Sequence, residues 1–151
     1  MAELKERLRA DLNDAMRARD QVRMRTLRLA LTSITNEEVA GASARELTDD
    51  EVVKVLTREA RKRREAAEAF SAAGRSDQAA AERAEGEVLA GYLPAQLSDD
   101  ELAALVDAAI AETGASGMSS LGQVMKTVTP RVAGRADGAR VAAEVRRRLS
   151  G

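Results

Sequence analysis

The sequence predicts an all-α protein, on three observations. Aliphatic residues recur at helical spacing along nearly the whole chain. Aromatic residues are only 1% of 151, so the core must come from Leu, Val, Ile, Met and Ala, which suits packed helices better than strands. Capping boxes, Gly and Pro punctuate the segments where helices should begin and end. No strand-like alternation and no internal repeat breaks the pattern.

The elements follow in order. Leu4, Leu8, Leu12, Ala15 and Met16 make one apolar stripe. A second begins near Asp20 and carries Met24, Leu27, Leu31, Ile34 and then Glu38 or Val39. Residues 41–46 form a break. Thr48-Asp49-Asp50-Glu51 then reads as a capping box, in which the Thr oxygen accepts from a free backbone N–H and the Glu reaches back. A long helix follows to about Ala73, with Gly74 as terminator. Its apolar face is Val52, Val53, Leu56, Ala60, Ala67 and Phe70. A fourth helix covers about 76–91. Its interior Gly86 costs about 1 kcal/mol relative to Ala, which a close helix crossing would explain.

Tyr92-Leu93-Pro94-Ala95-Gln96-Leu97 is the clearest punctuation, because Pro94 lacks a backbone donor and restricts Leu93. Length allows two small units. We expect a four-helix unit with a long third helix over residues 1–94, a hinge, and a three-helix unit over 95–151. Ser98-Asp99-Asp100-Glu101 is a second capping box. The helix after it carries Leu102, Leu105, Val106, Ala109 and Ile110 and ends near Gly114. Ser120-Leu121-Gly122-Gln123 is a weaker box of the same form, opening a short helix that Pro130 bends or ends. A turn over 134–138, with Asp137 as cap, precedes a last helix presenting Val141, Val145 and Leu149.

Composition narrows the function. The chain has no Cys and no His, so it lacks a thiol nucleophile, the commonest general base and the commonest transition-metal ligand. The sequence holds no nucleophile elbow, Walker sequence or dinucleotide fingerprint. The acidic clusters at 49–51 and 99–101 sit in first helical turns, where capping and the macrodipole account for them. We therefore expect no catalytic residues, no cofactor and no metal. No apolar run approaches a membrane span, and residues 1–6 have no signal-peptide core. The expected location is the cytoplasm, with no membrane partner.

The net charge is −1, so any binding of polyanions must use local patches. On a helical wheel Lys54, Arg58, Arg61 and Lys62 fall within a sector of roughly 100° opposite the core face. Arg63 lies towards the apolar side and should reach a neighbouring helix. Residues 117–151 hold seven bases (Lys126, Arg131, Arg135, Arg140, Arg146, Arg147, Arg148) and two acids, a net +5. Residues 95–116 hold five acids and no base, a net −5. The candidate nucleic-acid contacts are Lys126, Arg131, Arg135, Arg140, Arg147, Lys54, Arg58, Arg61 and Lys62, since Arg and Lys on one face suit phosphates. The competing reading is a solvated helix surface. Single strands are usually held on stacked aromatic rings. Only Phe70 and Tyr92 are present, and Phe70 reads as buried, so a folded RNA recognised by shape is the better substrate.

Four motifs in order point further: Gly74-Arg75-Ser76-Asp77, Tyr92 to Leu97, Gly122-Gln123-Val124-Met125, and Gly134-Arg135-Ala136-Asp137-Gly138. The 11–28 stretch, ending in Thr26-Leu27-Arg28, fits with them. Over its whole length the chain resembles the GatB/YqeY family. The resemblance implies that the larger part is similar to the helical domain of the B subunit of tRNA-dependent amidotransferases, and the smaller part to that subunit's tail, which contacts the body of the tRNA. The kinase-like active site of that subunit lies in a separate domain outside the resemblance. Gln123 and Ala133 stand where the family often has Lys, which removes two phosphate contacts. Lys126 and Arg135 are retained.

The first expectation is therefore a non-catalytic accessory protein binding structured RNA, tRNA or similar, through the C-terminal unit. The alternative is a protein–protein adaptor. A part in carbon–nitrogen ligase activity with glutamine as amido donor ranks third. A continuous positive surface would favour RNA. Cancellation of the positive charge by the acidic helix after Ser98 would favour the adaptor.

Overall fold

The structure is a computed structural model that describes residues 2–150. Among these, seven α-helices and one short 3₁₀ turn account for all regular structure, and no strand is present. By contacts the chain divides into two compact units, Met1–Leu93 and Pro94–Gly151.

Unit 1 contains α1 (Glu3–Ala18), α2 (Gln21–Glu38), α3 (Asp49–Ala72) and α4 (Ser76–Ala90). Helix α1 closes on Arg19 in the left-handed region at φ 56°, and Asp20 caps α2 by accepting from the Arg23 N–H at 3.2 Å. Thr48 and Glu51 form the reciprocal capping box at the start of α3. Gly74, at φ 75°, makes the turn that α3 needs to fold back as α4.

The core of unit 1 joins Leu8, Leu27, Ala30, Ile34, Leu47, Val52, Val55, Leu56, Leu89 and Tyr92. The Tyr92 hydroxyl donates to Asp11, and the Arg7 guanidinium lies 4.7 Å from the ring centre. Burial, then the Asp11 carboxylate, pushes the phenol up to about 12. These contacts tie the end of unit 1 back to α1.

Some expected core positions are not core. Met16 is 45% exposed and Val39 59%; the first lies in the last turn of α1 and the second just past the end of α2. Phe70 is half-buried, near the α3–α4 turn. Conversely, Lys5 is buried, donating to Glu38 at 2.7 Å. A Cβ at Gly86 would meet Arg63 Cβ at 3.8 Å, an ordinary contact. The crossing is close but leaves room for a methyl. Gly86→Ala is therefore expected to stabilise the protein by up to about 1 kcal/mol, seen as a higher thermal midpoint. A lower midpoint would show that crowding sets the residue.

Unit 2 contains α5 (Asp99–Thr113), the 3₁₀ turn Met118–Ser120, α6 (Leu121–Val132) and α7 (Gly138–Ser150). Ser98 and Glu101 form the second capping box, and Gly114 ends α5 at φ 64°. Asp137 caps α7 by accepting from the Arg140 N–H at 3.0 Å. The box expected at Ser120 does not form: its side chain caps nothing, and its hydroxyl donates to the Ser116 carbonyl at 3.4 Å. The 3₁₀ turn leads into α6 instead. Pro130 sits inside α6, which continues to Val132. In the last turn its missing donor costs a single helical bond. The core is Leu97, Leu102, Val106, Ala109, Val124, Val128, Val132, Ala136, Val141, Val145 and Leu149.

Several carboxylates sit below their ordinary range. The Lys5 hydrogen bond is the main cause at Glu38. The Arg45 hydrogen bond, then the Thr48 N–H, hold Glu51 down to about 2 against a usual 4.5. A depressed carboxylate stabilises the fold above its unfolded pKa, and that stabilisation is lost as pH falls through the folded value. Unfolding resistance of unit 1 should therefore decline from pH 4.5 towards about 2. Urea midpoints across that window check it; a flat profile would count against these pairs.

Candidate functional site

The helices of unit 2 bring its acidic and basic segments together. Arg131 on α6 pairs with Glu112 on α5. Arg140 on α7 pairs with Asp99 at 2.9 Å. Arg135 donates through Nε to the Ala95 carbonyl at 3.0 Å and lies 3.7 Å from Glu101. Its own carbonyl accepts from the Leu97 N–H at 2.8 Å. Arg135 thus clamps the entry of unit 2 onto the α6–α7 turn. Arg147 grips Glu144 through two bonds of 2.8 and 3.1 Å. Arg148 adds Glu144 at 3.0 Å and Asp107 at 3.4 Å.

Glu144 is held below the ordinary carboxylate range, chiefly by the Arg147 hydrogen bond. Glu101 is also lowered, first by the Ser98 N–H. Lys126 is exposed and has no partner among the described residues. Exposed ion pairs each stabilise by only about 0–1 kcal/mol. Their effect on a phosphate is larger. A carboxylate about 4 Å from a phosphate charge repels it by about 1–4 kcal/mol, for dielectric constants from bulk water to protein surface. That cancels most of what the paired arginine offers. Unit 2 carries seven bases and seven acids, so it has no net positive field.

The two arginines of the expected basic face of α3 meet a similar fate. Arg58 pairs with Glu37 at 3.3 Å, and Arg61 lies 3.9 Å from Glu65. Both carboxylates are exposed, at 45% and 66% of their side chains. Lys62 differs: it bonds the buried Glu59 at 3.3 Å while its own side chain stays 60% exposed. Lys54 is exposed and has no partner among the described residues.

Sequence reasoning missed a buried network in unit 1. Glu59 on α3 accepts from Ser33 of α2 at 2.9 Å, from Lys62, and from Arg63 at 3.2 Å. Arg63 also reaches Glu85 of α4 at 3.3 Å and Glu82 at 3.9 Å. Glu85 in turn accepts from Arg25 of α2 at 2.8 Å. Burial pushes Glu59 up, but the bonds from Ser33 and Lys62 and the neighbouring charges bring it below its ordinary value. The one signal in the sequence was Arg63, placed off the basic sector and towards the apolar side. Glu59 is four residues away on the same helix, but Glu82 and Glu85 lie on α4, out of reach of any spacing rule.

Among the described residues no cluster of acidic side chains could hold a metal ion, and every buried side-chain nitrogen or oxygen has a partner. Among the described residues no helix is long and apolar enough to cross a membrane. The sequence model described as Yqey-like protein matches residues 5–149. The chain belongs to the YqeY-like family. No curated protein matches it. The YqeY-like chain therefore has a family and an all-helical fold, and its best candidate contacts are surface side chains.

Proposed function

We propose that this YqeY-like chain is a non-catalytic adaptor, acting by holding a protein partner on its helical surface. One observation carries the reading: Arg131, Arg135, Arg140 and Arg147 are each engaged by a carboxylate of their own unit. Phosphate binding there would first have to displace four internal anions. The absence of Cys and His from the sequence supports a non-catalytic role.

Structured RNA of the tRNA kind is the second reading. Lys126 favours it, being exposed and free of carboxylates, as does the resemblance of unit 2 to a tRNA-contacting tail. A share in carbon–nitrogen ligase chemistry is a third reading resting on resemblance alone. A glutaminase assay with and without misacylated tRNA tests it.

The deciding experiment is filter binding of tRNA at low and raised salt, beside recombination of the purified chain with any co-purifying protein. We expect a defined protein complex and negligible tRNA binding at low salt. Phosphate contacts make affinity fall steeply with salt. A steep salt slope that Arg135→Ala plus Lys126→Ala abolishes would replace the adaptor reading with the RNA one.

A further inference from the structure

The outward side of α2 differs from the other basic surfaces in what lies beneath it. Arg25, Arg28, Leu29 and Thr32 follow helical spacing and share one side. All four are exposed, with Leu29 at 42%. Where Arg58 and Arg61 of α3 face exposed carboxylates, Arg25 and Lys62 cover buried ones. The Arg25 side chain is 56% exposed over Glu85 at 9%. Lys62 is 60% exposed over Glu59 at 7%. Solvent meets the cation, and the anion lies below. Arg28 has no ion-pair partner among the described residues. Lys62 belongs to the same surface, because its Nζ and Ser33 Oγ bond the same Glu59 oxygen, at 3.3 and 2.9 Å. Ser33 follows Leu29 by one helical turn.

We infer that this α2–α3 face docks an acidic amphipathic segment of a protein partner. An apolar side chain of the segment seats on Leu29, and its carboxylates meet Arg25, Arg28 and Lys62. The inference rests on the adaptor reading and supplies the partner's chemistry. Donors remain for it: Arg25 uses Nε for Glu85, leaving both terminal amino groups, and Lys62 has two of its three hydrogens left. Arginine is enriched among the residues that dominate interface energies, and neighbouring contacts that exclude water strengthen its pairs. RNA fits less well. Three phosphate contacts give a salt slope of only about −2 to −3, and a phosphate backbone has no use for an exposed leucine.

The test is selection of a displayed library of random helical peptides on the full chain. A counter-selection uses Arg28→Glu plus Leu29→Asp, with helical content verified by circular dichroism. Both residues are exposed and Arg28 is unpaired, so the variant should fold; Arg28→Gln plus Leu29→Asn is the milder control. The expected pool has Leu, Ile or Phe at helical spacing flanked by Asp and Glu. It should bind the parent at least about ten-fold more tightly than the variant and resist competition by tRNA. A pool that binds both proteins equally would overturn this inference while leaving an adaptor role intact. Displacement by tRNA would mark the face as a phosphate site and also overturn it. No enrichment at all would count against the adaptor reading itself.

Discussion

Replacing Arg63 by Met is expected to destabilise unit 1 by about 3 kcal/mol. The guanidinium bridges Glu59 and Glu85, whose side chains are only 7% and 9% exposed. Removing one member of a buried charged network typically costs about 3–5 kcal/mol, because the charges left behind are uncompensated. Here the loss falls at the low end, since Glu59 keeps Ser33 and Lys62 and Glu85 keeps Arg25. For a unit of this size the thermal midpoint should fall by about 12–24 °C. Changing Glu59 and Glu85 to Leu in the same variant should recover much of the loss, because apolar replacement of a whole buried network is often neutral. Urea unfolding of the single and triple variants measures both. A single-variant loss below about 1 kcal/mol would mean that Lys62 and Arg25 already satisfy the two carboxylates. The same network holds the heads of Arg25 and Lys62 towards solvent, so the triple variant also asks whether the α2–α3 face needs its buried anions to present those cations.

The helices were legible because their signals are local. Thr48 with Glu51, and Ser98 with Glu101, lie three residues apart, and both boxes form. Gly74 and Gly114 take the left-handed conformation expected of helix terminators. Ser120 and Gln123 have the same spacing, yet a 3₁₀ turn takes the place of a cap. What the sequence could not reveal was the partner of each charge that pairs across helices. Arg131 meets Glu112 across 19 residues and Arg140 meets Asp99 across 41. Read along the chain, 95–116 and 117–151 are two blocks of opposite sign. Folded, the acids of α5 lie against the bases of α6 and α7, and the apparent basic surface becomes a set of ion pairs. Lys5 and Glu59 mislead in the other direction. Each looks like a solvated charge, and each is buried against a helix far away in the chain.

The second large effect is expected from Leu102→Ala, which should unfold unit 2 and leave unit 1 standing. Leu102 is 2% exposed in a core that contains no aromatic residue and is mostly valine. A unit spanning 94–151 has a total stability of about 3–9 kcal/mol by size. Truncating a buried leucine removes about 2–5 kcal/mol, most of that margin. Leu56→Ala in unit 1 costs a similar amount but acts on a larger unit with a longer-range core. The Leu102 variant should therefore lose amide-exchange protection across 94–150 while α1 to α4 keep theirs; uniform loss in both units would show that they unfold as one. The same protein separates the functional readings. If the α2–α3 face carries the docking, the Leu102 variant still binds the selected acidic peptides. If binding resides in the helices that present Lys126 and Arg135, it disappears with the fold of unit 2.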